Sequence, residues 1–399
     1  MSSNFNHWWE NQPGFLFYVL LLTLAIATVG CSFLGGNSTT QTTPTAQPTY
    51  IPSGMPRAQG TQIVDATGHP FLLHGAQIES PFNYIKDWEK GKRPTDTLTS
   101  ATFNAMARDW HMNALRLPIS NWIYAKYTSE YMSQLDQVVQ RANTAGLYVV
   151  LDLHDDVQSG SPYSDNSDMP KPESVTFWKA IALHYRSNPM VMFDVFNEPH
   201  TRGWNTWLHG GGTTPDGVPI VGFQDLVNAI RSVGAQQIIV VEPGAAGGKG
   251  NGVNGAEQGG WSNFPLADAI NDPEIMYSLH VYGDIILPPD RQKAKWGPVL
   301  NHFPLYYGEW AFLPNANGTA HCRSLPTDPN QADQVVLNFL NFMASIHASW
   351  TAWAFTPHHL VQDYNSYAPT TLHTSWACGN PKVNAGMGMI VKQYLASNS

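Results

Sequence analysis

From Thr61 onward, about eight short apolar runs of strand length recur, each followed by a helical pattern or a long loop. Several are almost continuously apolar rather than alternating, as in Leu147 to Leu153 (LYVVLDL). Strands of that kind are buried on both faces of a parallel sheet. Repeated βα units close on themselves at eight. The predicted fold is therefore α/β: a (β/α)8 TIM barrel as a single domain, with an N-terminal hairpin. An open doubly wound sheet is the competing arrangement. It would usually carry a glycine-rich turn after its first strand, and none follows Leu73.

Ile63-Val64-Asp65 and Phe71-Leu72-Leu73 flank Thr67-Gly68-His69-Pro70, which predicts the hairpin. Ala114-Leu115-Arg116-Leu117 is the next strand and Leu147 to Leu153 the third. Val191 to Phe196, Gln237 to Val241, Met276 to Val281, Leu305 to Tyr307 and Thr351 to Phe355 complete the set. Between them, Leu135, Val138, Val139 and Ala142 follow helical spacing, with Gly146 placed to cap the C-terminus. Phe177, Ile181 and Tyr185 mark a helix ended by Asn188-Pro189; Val335, Phe339, Phe342 and Ile346 mark a late one. Gly386 to Ala396 forms the last helix. Two insertions stand out, His200 to Gly222 with Trp204 and Trp207, and the glycine-rich Gly244 to Gly260. In the second, Lys249 is followed by Gly250 rather than Ser or Thr, so the phosphate-loop spacing is absent.

The 399 residues carry 21 Lys and Arg against 30 Asp and Glu, a net charge of −9, with no basic cluster. That excludes nucleic acid as the principal partner, because such binding needs a basic surface to displace counterions. Charged residues are only 13% of the chain, and there are 14 Trp. This balance suits a neutral, flat-faced ligand such as a sugar chain, and equally a large core filled with Trp. Phe15 to Val29 is a hydrophobic run followed by Gly30-Cys31. Residues 1–36 are read as a signal peptide, a lipoprotein signal lipidated at Cys31, or a membrane anchor. No Lys or Arg precedes Arg57, so the usual positive segment is missing. Residues 37–60 form a Ser/Thr/Pro-rich linker and 61–399 the barrel domain. The expectation is a secreted or cell-surface monomer that meets a membrane only through its N-terminal segment. There is no CxxC; with Cys31 in the leader, Cys322 and Cys378 remain as a possible disulfide pair.

Active sites of these barrels lie at the carboxyl ends of the strands. Strand two carries Arg116, strand three His154, and strand four ends in Asn197-Glu198-Pro199. Strand five ends in Glu242, strand six carries His280 and Tyr282, strand seven ends in Glu309-Trp310, and strand eight carries Trp353. Side chains two apart share a face, so Asp152 joins His154, and Asp194 joins Glu198. A ring of polar residues at strand ends is hard to explain as packing. Two carboxylates on different strands of one mouth fit glycoside hydrolysis, where one protonates the leaving oxygen and the other attacks the anomeric carbon or activates water.

The series VDATGHPFLLHG, NALRLP, LDLH, FNEPH, SLHVY, YGEW and TAWAF covers residues 61–395. It resembles glycoside hydrolase family 5, the cellulase family of retaining (β/α)8 glycosidases. The resemblance implies Glu198 as general acid/base and Glu309 as nucleophile. It implies that Asn197 bonds the sugar 2-hydroxyl, that Arg116 and Tyr282 hold Glu309, that His154 and His280 line the −1 site, and that Trp353 is its stacking floor. No metal and no cofactor are expected. The implied substrate is a β-linked polysaccharide or oligosaccharide, above all a β-1,4-glucan cut internally by double displacement. A mannanase, an exo-acting glucosidase or glucanase, a transglycosylase and a non-catalytic carbohydrate-binding barrel are the alternatives. Glu242 is a carboxylate the pattern does not require; it either binds a sugar hydroxyl or is a salt-bridged structural group. Asp155-Asp156 opens a Ser/Asp-rich loop through Asp168 that either binds a cation or is simply solvated. Trp204 and Trp207 are either outer sugar platforms or core. A metal-dependent barrel hydrolase would need His-x-His after strand one, and only His74 stands there.

Overall fold

The computed structural model describes residues 54–155, 169–200, 203–214, 217–244, 260–312, 329–357, 359–371 and 386–398. Eight parallel strands form a closed barrel: β1 (His74–Gln77), β2 (Ala114–Ser120), β3 (Tyr148–Asp155), β4 (Val191–Asp194), β5 (Ile239–Val241), β6 (Ile275–Val281), β7 (Leu305–Trp310) and β8 (Ser349–Ala352). They follow chain order around the barrel, and β8 closes it by pairing with β1 at Trp350–His74. The predicted helices are present as Asn121–Ala145, Pro172–Tyr185, Pro329–Ser345 and Gly388–Asn398. Gly146 ends the first of these at φ 98°, a left-handed conformation that a side chain would oppose.

Below the barrel lies a three-stranded antiparallel sheet, Arg57–Gln59, Gln62–Val64 and Pro70–Phe71. It contains the predicted hairpin and begins within the stretch read as linker. Asp65 fixes the turn: its Oδ1 accepts from the backbone N–H of Thr67 and His69 and from the Thr67 hydroxyl. Glu274, just before β6, holds the outer strand by accepting from Arg57 Nε and the Ala58 N–H, both at 2.7 Å. Ile63 and Leu73 pack with Ala114, Tyr148, Val150, Met192, Val240, Met276 and Tyr306, which fill the lower barrel. A larger apolar layer separates the barrel from its helices.

The first barrel strand differs from the sequence reading. That reading ended it at Leu73, but β1 starts at His74. The apolar run Phe71–Leu73 serves the barrel floor, and the strand proper is His-Gly-Ala-Gln. Its glycine is a steric requirement: a Cβ on Gly75 would lie 1.9 Å from the Ala114 carbonyl oxygen on β2. Strand β8 likewise runs Ser349–Ala352, two residues earlier at its start than predicted. Gly75→Ala is therefore expected to force β1 and β2 apart and cost about 2 kcal/mol or more. Equilibrium urea unfolding checks this; unchanged stability would refute the close approach.

Candidate active site

Along each strand the inward positions change from apolar to charged toward the carboxyl end. On β3 they read Tyr148, Val150, Asp152, His154; on β2, Ala114 then Arg116; on β4, Met192 then Asp194. On β6 Met276 is followed by Ser278, His280 and, just past the strand, Tyr282. Alternation thus delivers one charged layer above one apolar layer.

Arg116 lies at the centre of that layer, fully buried. Its Nε donates to Asp194 Oδ2 at 2.9 Å. One terminal nitrogen donates to Glu309 Oε1 at 2.7 Å and to Gln77. The other donates to Asn197 Oδ1 at 3.1 Å and Glu242 Oε1 at 3.0 Å, and lies 3.0 Å from Asp152 Oδ1. Burial alone would lower its pKa, but the four surrounding carboxyl groups outweigh that and raise it well above the ordinary value. Burial pushes the Asp194 carboxyl well above the usual carboxylate range against the pull of Arg116, with Glu242 and Asp152 adding to the rise.

Glu309 receives Arg116 on Oε1 and the Tyr282 hydroxyl on Oε2. Its strand is bulged between Tyr307 and Glu309, a shift that re-aims the side chain. Glu198, just past β4, has a left-handed backbone (φ 46°), uncommon for a residue with a side chain. Its Oε1 lies 2.8 Å from His280 Nδ1. Its side chain is 17% exposed against 4% for Glu309. Glu198, His280 and Glu309 each present one atom within 4.8 Å of the others. These three are also residue types that can hold a metal ion. Burial would discharge His280; the charges of Glu242 and Glu309 and its bonds to Glu198 and Glu242 prevail and raise its pKa well above the ordinary value.

His154 Nδ1 is 2.7 Å from Asp152 Oδ2. Burial lowers its pKa, but Asp152 more than offsets this, with Glu309 adding to the rise, and the value stands at about 9. Its ring lies 6.3 Å from that of Trp353 at 24°, and Trp353 is half-buried. The structure thus brings Arg116, His154, Asn197, Glu198, His280, Tyr282, Glu309 and Trp353 to one mouth. Glu242 is fully buried within the ion pairs, the second of its two readings. Trp204 and Trp207 pack against one another and against Trp261. Trp207 is fully buried, and Trp204 stacks on Trp261 at 5.6 Å and 12°. His74 begins β1, at the opposite end of the barrel, where it stacks on Trp350 and burial lowers its pKa to about 4. Gln77 was missed because strand one was misplaced. Cys31, Cys322, Cys378 and the loop from Asp156 to Asp168 lie outside the described residues.

Removing the guanidinium by Arg116→Met should cost about 3–5 kcal/mol, since carboxyl groups are left buried without their cation. Denaturant unfolding measures this, and wild-type stability would refute the central role of the ion pairs. His154 gives a pH signature. Its folded pKa of about 9 lies above the ordinary 6.5, so its contribution is full below pH 6.5 and is lost as pH rises through 9. The melting temperature should fall over that window, and His154→Gln should flatten the fall. An identical slope in the variant would exclude His154 as its source.

The family model for cellulase (glycosyl hydrolase family 5) matches residues 64–359. An endoglucanase of Thermobifida fusca is 25% identical over 309 residues, covering 76% of this chain and 56% of the relative. An endoglucanase of Paenibacillus polymyxa is 26% identical over 264 residues, covering 60% and 63%. The chain therefore spans less than two thirds of the length of these curated relatives. Among solved structures, a β-glucanase from Saccharophagus degradans is similar in fold, with TM-score 0.61 and 18% identity, covering 87% of this chain and 94% of that one. The catalytic domain of a Thermobifida fusca endoglucanase gives TM-score 0.56 and 19% identity, covering 86% and 97%. The family match runs from the hairpin through the last barrel strand and contains every strand-end residue of the charged layer, so the chain belongs to glycosyl hydrolase family 5, the cellulase family.

Proposed function

We propose that this protein is a retaining glycoside hydrolase acting on a β-linked polysaccharide, and specifically an endo-β-1,4-glucanase. The observation that carries the reading is the carboxyl pair: an oxygen of Glu198 and one of Glu309 lie within 4.8 Å across the barrel mouth. Retaining pairs stand about 5–5.5 Å apart, whereas inverting pairs leave about 6.5–9.5 Å for a water. Glu309, clamped by Arg116 and Tyr282, is the nucleophile. Its oxygen bonds to the anomeric carbon as the glycosidic C–O bond breaks, and the Glu198 proton passes to the leaving oxygen. Water then attacks the same carbon from the vacated side. It gives its proton to Glu198, and the bond to Glu309 breaks with net retention. Asn197, held by Arg116, is assigned to the sugar 2-hydroxyl; His154 and His280 flank the −1 sugar, and Trp353 is its stacking floor.

The substrate assignment is supported by relatives that are named endoglucanases, and by the Saccharophagus degradans β-glucanase, which was solved in complex with cellotetraose. The hydrophobic run and the Ser/Thr/Pro-rich stretch that follows it within residues 1–60 support a secreted or surface-tethered enzyme acting on external glycan. The test is reducing-sugar release from soluble β-1,4-glucan, mixed-linkage glucan and mannan, with viscosity followed in parallel. A rapid viscosity drop on β-1,4-glucan is expected; release from mannan alone would overturn the substrate assignment. Glu309→Ala should abolish turnover while leaving glycan affinity, and near-normal rates would overturn its role. Glu198→Gln should lose about 10²–10⁴-fold on polysaccharide but far less on substrates with good leaving groups, which need little protonation. Equal loss on both would overturn the acid/base assignment.

A further inference from the structure

Glu242 is the charged member of the mouth that the carboxyl pair does not account for. It stands just past β5, fully buried, so it cannot meet a sugar directly. Its Oε2 accepts the backbone N–H of Glu198 at 2.7 Å. Its Oε1 lies 2.8 Å from His280 Nε2 and accepts from Arg116 at 3.0 Å. The other ring nitrogen of His280 meets Glu198 Oε1 at 2.8 Å. One carboxylate therefore reaches Glu198 by two routes, through its backbone and through its side chain. Glu242 is itself anchored, because the indole N–H of Trp207 donates to its carbonyl at 2.8 Å.

We propose that Glu242 is a positioning residue for Glu198, holding the strained Glu198 backbone by its N–H and fixing the His280 ring that aligns the Glu198 carboxyl. The inference rests on the reading of Glu198 as acid/base. The backbone contact offsets the cost of a left-handed non-glycine residue at the tip of β4. The ring contact turns Nδ1 toward Glu198. With His280 protonated, Nδ1 donates to Glu198 Oε1, and the transferable proton is confined to Oε2. The groups facing this assembly are Arg116 from β2, Asp194 from β4, Glu309 from β7 and Tyr282 beyond β6; Asp152 and His154 on β3 act through Arg116.

The test is Glu242→Gln, which keeps the shape and a carbonyl acceptor but removes the charge. It is assayed on two aryl β-cellobiosides of identical sugar, one releasing phenolate and one dinitrophenolate. The parameter compared is kcat/KM, which reports the first chemical step. A positioning role predicts a loss of about 10–100-fold on the phenyl substrate and under about 3-fold on the dinitrophenyl one. Removing the negative charge of Glu242, which raises the His280 pKa against burial, also lowers that pKa. The basic limb of the pH profile should therefore move to lower pH, which a purely structural role would not do. In a Glu198→Gln background, Glu242→Gln should add no further loss on the dinitrophenyl substrate. Should Glu242→Gln not fold, Glu242→Asp keeps the charge on a shorter arm, and its phenyl-to-dinitrophenyl ratio is read in the same way. Equal loss on both substrates, with an unmoved basic limb, would overturn the inference while leaving the glycosidase reading intact. A wild type that cleaves neither substrate nor any β-glucan would overturn both.

Discussion

The guanidinium of Arg116 is the interaction on which the barrel mouth depends. It is sealed from solvent, so its charge must be matched inside the protein. It binds groups from five other strands or their ends: Gln77, Asp152, Asp194 with Asn197, Glu242 and Glu309. Lys could not do this, because an ammonium offers three donors around one point, whereas guanidinium spreads five in a plane. Conversely, these carboxyl groups could not crowd together without a cation between them. Asp194 shows the residual tension, since its carboxyl is pushed above the usual range even with Arg116 in contact.

That arrangement needs exact backbone placement, and the surrounding structure supplies it by specific means. Gly75 lets β1 and β2 approach closely enough for Gln77 to reach Arg116. Gly308 sits in the β7 bulge, and a Cβ there would lie 2.7 Å from Ser278 Oγ and 3.0 Å from His280 Nε2. The same glycine thus re-aims Glu309 and leaves room for the His280 ring. On the far side Trp207, packed among Trp204, Trp261, Phe223 and Phe264, fixes the Glu242 backbone. Trp207 in the insertion thus serves the site from behind, as part of a rigid wall.

These particulars explain what sequence reasoning could and could not reach. Strands such as Tyr148–Asp155 and Ile275–Val281 were legible because burial on both faces writes a long apolar run. The ring of strand-end residues was legible because each polar side chain interrupts such a run at its carboxyl end. Strand β1 was not, because His74, Gly75 and Gln77 satisfy neighbours rather than a pattern: Trp350, Ala114 and Arg116. Glu242 was visible as a carboxyl group. Its meaning was not, since its partner is a main-chain N–H 44 residues away, which no side-chain motif records.

Charge bookkeeping then separates the two carboxyl groups of the proposed mechanism. Burial lowers the pKa values of Arg116, His154 and His280, but the neighbouring carboxyl groups outweigh it and raise all three, that of His154 to about 9, so their cationic forms are favoured at the mouth. Four carboxyl groups, Asp152, Glu198, Glu242 and Glu309, meet that positive charge in different ways. Asp152 is gripped by His154 and Arg116, Glu242 by Arg116 and the Glu198 N–H, and Glu309 by Arg116 and Tyr282. Glu198 has the most exposed side chain of the four, and its Oε1 lies 2.8 Å from His280 Nδ1. In the proposed mechanism the Glu198 carboxyl therefore stands nearer the open side, where a leaving oxygen can reach it. The layer that stabilises the barrel mouth thus also gives the two carboxyl groups of the proposed pair different surroundings, Glu309 clamped inside by Arg116 and Tyr282 and Glu198 toward the open side.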